Sequence, residues 1–309
     1  MAIPGGSLTG TSAISNLVQT AYDQYVRMAL RSIPVMRALA DVKPVQQAMP
    51  GSSVVFSIYS DLAQATSTLT EASDVSSIAL GNPTQVAVTL QEYGSAVTTT
   101  KKLNLTSFND VDSALADIIA YNAADSIDAV VASVLTAGSN AIYAGATATN
   151  TAGITSNALI SVSDIRQAVT ELRTNKALPR IGELYAAYLH PRQTADLRAE
   201  TGTGGFQDLS KYVDRTPFVA GAVGVIEGAF VVETPRVPFA SNGTTNVYKA
   251  VVAGREALAE AMGQDISTVI GPQIDALRRF HTIGWYYFGG WSLLRQAALY
   301  RIESAATNG

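Results

Sequence analysis

The chain has no cysteine. That removes disulfides, thiol nucleophiles and thiolate metal sites together. Histidine is nearly absent. His190 and His281 are the only two, too few for a three-histidine metal site, and there is no H-E-x-x-H helix. No G-x-S-x-G turn is present, so a serine nucleophile of that type is excluded. Charge is also scarce. Asp, Glu, Lys and Arg make up 15% of the residues, against roughly a quarter in ordinary soluble domains. The net charge of −4 gives no strong electrostatic pull toward nucleic acid. Residues 129–163 carry no charge at all. They are rich in Ser, Thr, Asn and Gly, which is not the composition of a membrane span. The first ten residues, MAIPGGSLTG, lack the basic region and apolar run of a secretory signal. Synthesis in the cytoplasm, with no membrane partner, is the expectation.

What remains is apolar and neutral-polar. Hydrophobic residues are 47% of a 309-residue chain, enough for a sizeable core. A surface with so few charges has little colloidal protection. The composition therefore points to a chain that covers much of its surface with copies of itself.

Residues 1–44 read as an arm. Leu17, Val18, Tyr22, Tyr25, Val26, Met28 and Leu30 predict a helix over 12–32, which Pro34, Pro44 and Pro50 end. Residues 45–102 read as a long hairpin. Val54, Phe56 and Ile58 alternate with polar residues, as do Val86, Val88 and Leu90. The tip between them is rich in Ser and Thr. No Lys or Arg occurs from Pro44 to Thr100, while Asp61, Glu71, Asp74 and Glu92 do. A lone hairpin of that length is marginal in water, and a neighbouring subunit is the expected support.

Residues 109–137 predict one long helix. Ile118, Ile119, Ile127, Val130, Val131, Val134 and Leu135 recur at helical spacing. Asn109 or Asp110 can cap its start and Gly138 ends it. Its length is about 43 Å at 1.5 Å per residue. It carries five Asp and no basic residue, a face that would repel DNA. Residues 158–256 predict an α+β unit with helices at 163–176 and after His190-Pro191, and strands at 184–189 and 247–253. From Ile266 to Ile283 the pattern predicts strands. For 285–302, with both tryptophans, helix and strand stay open.

Each candidate site has a bland reading beside it. Gly221, Gly224 and Gly228 are spaced G-x-x-G-x-x-x-G. That is not a dinucleotide fingerprint, and Glu227 would oppose a phosphate; a strand turn is expected. Thr201–Gly205 lacks the Lys of a P-loop. His190 before Pro191 reads as the start of a helix, not as a catalytic base. Asp196 and Glu200 stand four apart on a helix, a spacing any surface helix can have. Phe280, Trp285, Tyr286, Tyr287, Phe288, Trp291 and Tyr300 could stack bases, but core packing is the commoner use.

Several short motifs occur in a fixed order: Tyr185 to His190-Pro191, Asp196-Leu197-Arg198, Gly221 through Glu233-Thr234-Pro235, and Arg301-Ile302-Glu303-Ser304. With the arm, hairpin and long helix, this order resembles the tailed-bacteriophage major capsid proteins of the Hong Kong 97-type fold. The resemblance covers nearly the whole chain. It implies an α+β fold with an N-terminal arm (1–44), an extended loop (45–102), a peripheral domain with a spine helix (103–157 and 257–309) and an axial domain (158–256). It implies a structural protein of the virion, with no enzyme activity and no cofactor. It also implies pentamers and hexamers of an icosahedral head around double-stranded DNA, built in the host cytoplasm with a separate scaffolding protein, a portal and a possible cement protein. Some relatives join an extended-loop lysine to an asparagine; this loop has no Lys, the nearest being Lys101 and Lys102 at its base. The expected inter-subunit contact sets Glu71 and Asp74 against Arg278 and Arg279 of a neighbour. An encapsulin-type nanocompartment shell and a hydrolase-like α+β enzyme are the alternatives.

Overall fold

The computed structural model describes residues 36–44, 52–107 apart from 60, 67, 70, 72, 73 and 76, then 111–145, 148–201, 206, 224–270 and 279–307. The helix expected over 12–32, the caps at Asn109 and Asp110, Gly221 and Arg278 lie outside the described residues.

The chain opens with a 3-10 turn at Met36–Leu39 and strand β1 (Ala40–Pro44). Strands β2 (Ser53–Ile58) and β3 (Thr84–Thr89) form the hairpin arms, and β4 (Gln91–Thr100) follows directly. Then come helices α1 (Lys101–Thr106) and α2 (Val111–Thr136). Strand β5 (Ala141–Tyr143), helix α3 (Val162–Thr174), strand β6 (Tyr185–Leu189) and helix α4 (Pro191–Ala199) come next. Strands β7 (Val225–Ile226), β8 (Ala229–Glu233), β9 (Phe239–Ser241) and β10 (Asn246–Ala253) follow. The chain ends on β11 (Leu258–Ile270), β12 (Phe280–Leu293) and β13 (Leu299–Ser304).

These strands make three sheets. The first has the order β1-β11-β12-β4, the second β5-β13-β10-β6-β8-β7 with β9 on β10, and the third is the β2–β3 pair. Strands β5 and β13, which fall in the sequence ranges of the spine-helix unit, hydrogen-bond into the sheet of β10 and β6.

Helix α2 forms because 111–136 holds no Gly or Pro and its apolar residues recur every four. Ile119, Ala123, Ile127, Val131 and Leu135 are buried against Ile283, Trp285 and Tyr287 of β12. Each of the larger ones contributes about 1.5–3 kcal/mol by leaving water. Trp285 Nε1 donates to Asn122 Oδ1 at 3.0 Å and fixes the register of helix on sheet. At the other end the Arg301 guanidinium donates to the carbonyls of Thr136 and Gly138, a cation on the negative end of the helix dipole. Residues 117–136 are long and apolar enough to cross a membrane by length and composition alone. Their packing on β12 accounts for that composition.

Strand β6 is buried on both faces. Ala186 and Tyr188 point into the core under α2, while Tyr185, Ala187 and Leu189 point into a second core with α3. A strand sharing two cores reads as an unbroken apolar run. The stretch 285–302 is strand β12 up to Leu293, a 3-10 turn at Gln296–Ala298, and then strand β13. Phe280–Gly289 pairs with β4 on one side, and β11 pairs on the other. Three glycines at 284, 289 and 290 weigh against helix.

Candidate assembly interface

The glycine-rich stretch at 224–235 is a hairpin. Val225 pairs with Phe230 and Ile226 with Ala229, which leaves Glu227-Gly228 as a two-residue loop. Both loop residues have positive φ, +49° and +86°, the pattern of a mirror-image type I turn that suits strand twist. Glu227 is tied to Arg166 at 2.9 Å. The glycine serves the turn, as expected.

His190 caps α4. Its Nδ1 accepts from the Arg192 N–H at 3.2 Å, and its own N–H donates to Gln193 Oε1 at 3.1 Å. The ring lies 4.6 Å from that of Tyr248. Burial, then the charge of Arg192, lowers the His190 pKa, and Glu233 opposes them. Asp196 and Glu200 do not act as a pair. Asp196 Oδ2 accepts from the Thr307 N–H and Glu200 Oε2 from the Val162 N–H at the start of α3. The aromatic residues of β12 are core. Tyr287 stacks on Trp291 at 5.1 Å, and Tyr93 leans on both.

Among the described residues three carboxylates are fully buried: Asp128, Glu260 and Glu303. Each has an arginine. Arg37 donates to Glu260 Oε1 at 2.7 Å and also pairs with Asp265 at 3.0 Å. Burial works to discharge Arg37, but the hydrogen bonds and charge of Glu260, then Asp265, hold its pKa above the usual value. Tyr287 Oη–H donates to Glu260 as well, at 2.8 Å. Burial, then the charge of Glu260, pushes that phenol far above its ordinary pKa. Arg301 Nε lies 2.6 Å from Glu303 Oε1, and Thr151 Oγ1 donates to Glu303 Oε2 at 2.6 Å. The acidic helix is thus not a uniform face toward DNA. Asp128 points inward to Arg236, and Asp125 also lies 2.7 Å from Arg236 Nε.

The extended loop is built differently. Val54 and Val88 anchor the β2–β3 hairpin on Ala259 and Ala261. Gly290 makes this possible, since a Cβ there would collide with Thr89 O. Beyond that anchor, burial fades along β3, and Thr84 and Gln85 are exposed. Among its described residues, the loop 59–83 forms no strand or helix and stays in solvent. Tyr59, Leu62, Leu69, Val75, Ile78 and Leu80 are all exposed there. Glu71 and Asp74 are exposed at its tip. Arg279 is exposed beside Phe280, with its guanidinium 5.5 Å from that ring. Among the described residues no cluster of His, Asp or Glu could hold a metal. Sequence reading gave no weight to Lys101 and Lys102 as contact residues; their position beside Arg279 depends on a pairing 180 residues apart.

This architecture has known counterparts. The phage capsid protein family matches residues 16–298, and the chain belongs to that family. Solved capsids share the fold. That of the cyanophage P-SCSP1u is 17% identical over 94% of each chain, with a TM-score of 0.72. That of Ralstonia phage GP4 is 14% identical over 98% of each chain, with a TM-score of 0.73. The capsid of a native GTA particle is 16% identical over 97% of this chain and 100% of the other, with a TM-score of 0.69. No curated protein sequence matches. The chain is a structural major capsid protein of the Hong Kong 97-type fold and a component of the virion. The nanocompartment and hydrolase alternatives are not favoured.

Proposed function

We propose that this subunit closes into pentamers and hexamers of an icosahedral head that encloses double-stranded DNA. The observation that carries the reading is the loop 59–83, which exposes six large apolar side chains beyond the point where the hairpin is anchored on its own subunit. Such a surface is stable only when covered. Head-to-tail contacts with a closing rotation give rings. The division of labour is an arm, an extended loop, a peripheral unit around α2, and an axial unit that departs from the sequence ranges by taking in β5 and β13. Assembly takes place in the host cytoplasm, with a separate scaffolding protein and a portal as partners. DNA is enclosed without sequence-specific contact, in keeping with a net charge of −4. The extended loop has no Lys before the pair at its base, Lys101 and Lys102, so no lysine-to-asparagine link starts from its body or tip.

Negative-stain microscopy of the purified protein, alone and with scaffolding protein, tests the reading. Closed shells or flat patches of five- and six-membered rings are expected. Monodisperse small particles under both conditions would overturn it. Intact mass of subunits from denatured shells should give the monomer alone. A covalent ladder would remove the statement about cross-links.

A further inference from the structure

The loop 242–245 joins β9 to β10, with Ser241 paired to Asn246. Asn-Gly pairs occur at 242–243 and 308–309, and the first lies within the described residues. Both polar atoms of the Asn242 side chain are engaged twice. Oδ1 accepts from the N–H groups of Thr244 and Thr245 at 3.0 and 2.9 Å. Nδ2 donates to the carbonyls of Thr151 and Ile154 at 3.0 and 2.8 Å. Exchanging the ends of the amide would set donor against donor and acceptor against acceptor, so the network fixes its orientation. Gly243 is exposed and has a φ of +90°, a conformation that favours glycine.

The amide holds a segment that lies about ninety positions earlier in the chain. Ile154 is buried with Ala158, Val247 and Ala305. Thr151 opens a 3-10 turn, Thr151–Gly153, and its hydroxyl donates to the buried Glu303. Glu303 pairs with Arg301, which closes the end of α2. One exposed loop is thus linked through Thr151 to the end of the long helix.

We propose that Asn242-Gly243 is a modification site: a latent succinimide held shut by the fold, whose hydrolysis to aspartate or isoaspartate cuts segment 151–154 loose. Glycine has no side chain to shield its amide nitrogen. Once solvent base removes that proton, the Gly243 nitrogen bonds to Asn242 Cγ. The Cγ–Nδ2 bond breaks, and ammonia leaves with a proton from water. A second water opens the ring at either carbonyl. No oxidant is needed. In the folded chain the Gly243 N–H is engaged by Ser241 Oγ at 3.2 Å, and closing the ring draws the Asn242 side chain off its four partners. The reaction therefore waits for the loop to open. The aspartate product keeps acceptors for Thr244 and Thr245 but has no donor left. Its charged oxygen faces the carbonyls of Thr151 and Ile154, which repel it. The isoaspartate product also lengthens the loop backbone by one methylene and disturbs the pairing of β9 with β10. None of this depends on the shell reading.

Peptide mapping tests the guarding role. Full-length protein, folded and in urea, is held at mildly alkaline pH, and the tryptic peptide 237–249 is followed by mass. Asn246, in the same peptide and followed by Val247, is the slow internal reference. Conversion at Asn242 should run at least about tenfold slower in the folded chain than in urea. Equal rates would overturn the guarding role. Hydrogen exchange tests the release. Asn242→Asp should raise amide exchange at Gly153 and Ile154 about tenfold while Thr244 and Thr245 keep their protection. Asn242→Ala, which removes donors and acceptor alike, should loosen both places. Unchanged exchange at Gly153 and Ile154 in the Asp variant would overturn the release. If that variant does not fold, the converted chains of the aged parent protein, resolved by mass, give the same reading. Loss of protection throughout those chains would also overturn the proposal, which confines the effect to one segment.

Discussion

Arg236 Nη1 lies 3.3 Å from Oδ2 of Asp128, a carboxylate with no exposed surface in the middle of the long helix. The other oxygen of Asp128 accepts from the backbone N–H groups of Met36 and Arg37. One side chain thus ties α2 to the link after β8 and to the start of the described chain. Removing one partner leaves a buried charge unpaired. Arg236→Ala should cost about 3–5 kcal/mol in urea unfolding of unassembled subunits. Combined with Asp128→Ala, the two losses should fall well short of their sum. Additive losses would show that the pair is not coupled.

Glu260 gathers Arg37 and Tyr287 in the same way. Tyr287→Phe removes one neutral donor and keeps the ion pair, so the expected loss is only about 1–2 kcal/mol. Glu260→Ala leaves Arg37 with only the exposed Asp265 and takes the acceptor from the phenol, and should lose more than twice as much. Equal losses in the two variants would argue against Arg37 as the main partner.

The His190 cap gives a signed pH dependence. Burial and Arg192 lower its pKa in the folded chain below the ordinary value of 6.5. The unfolded chain therefore binds the proton first, and stability falls as pH drops. The contribution is fully present above about pH 6.5 and is lost as pH falls through the lowered folded-state pKa. Protonation also takes the lone pair that accepts the Arg192 N–H. His190→Asn keeps a capping oxygen and should flatten the change in urea midpoint between pH 7.5 and 5.5. An unchanged slope would assign the pH dependence to other groups.

Gly290 sets how closely the extended hairpin lies on β12. A methyl group there would enter the space of Thr89 O, which is backbone and cannot step aside. Gly290→Ala should expose Val88 and the hairpin anchor to faster amide exchange, with a stability loss of about 1–3 kcal/mol. Protection of β2 and β3 equal to that of the parent chain would show that the contact is slack.

The parts legible in sequence were those with local causes. Helix α2 announces itself through twenty-six residues without Gly or Pro and an apolar step of four. The hairpin strands alternate cleanly, and His190-Pro191 marks the start of α4. What stayed hidden depends on residues far apart in the chain. Asp128 looks like a solvent acid because no base shares its helix; Arg236 stands 108 residues away. Strand β1 shows no pattern of its own and is recruited by β11 across more than two hundred positions. The 285–302 stretch is ambiguous because its strand buries aromatic residues against α2 while Gly289 and Gly290 face Ala261 of β11 and Thr89 of β3. Neither helical nor strict two-residue periodicity survives that mixture.

The nine residues from Met36 to Pro44 have a mechanical consequence. Their strand lies parallel to β11, with Ala40 to Pro44 matched to Leu258 to Met262. Asp41 is held by Arg180 at one oxygen and by the Glu256 N–H at the other. A pull arriving at residue 36 along the strand axis loads these bonds in shear, all at once, instead of opening them one after another. The Arg37–Glu260 and Met36–Asp128 contacts take up the same load at the leading end. Tension on this end of the subunit is thereby passed into both the sheet and the long helix, so internal pressure on a closed container would be spread through the subunit and not concentrated at a single joint.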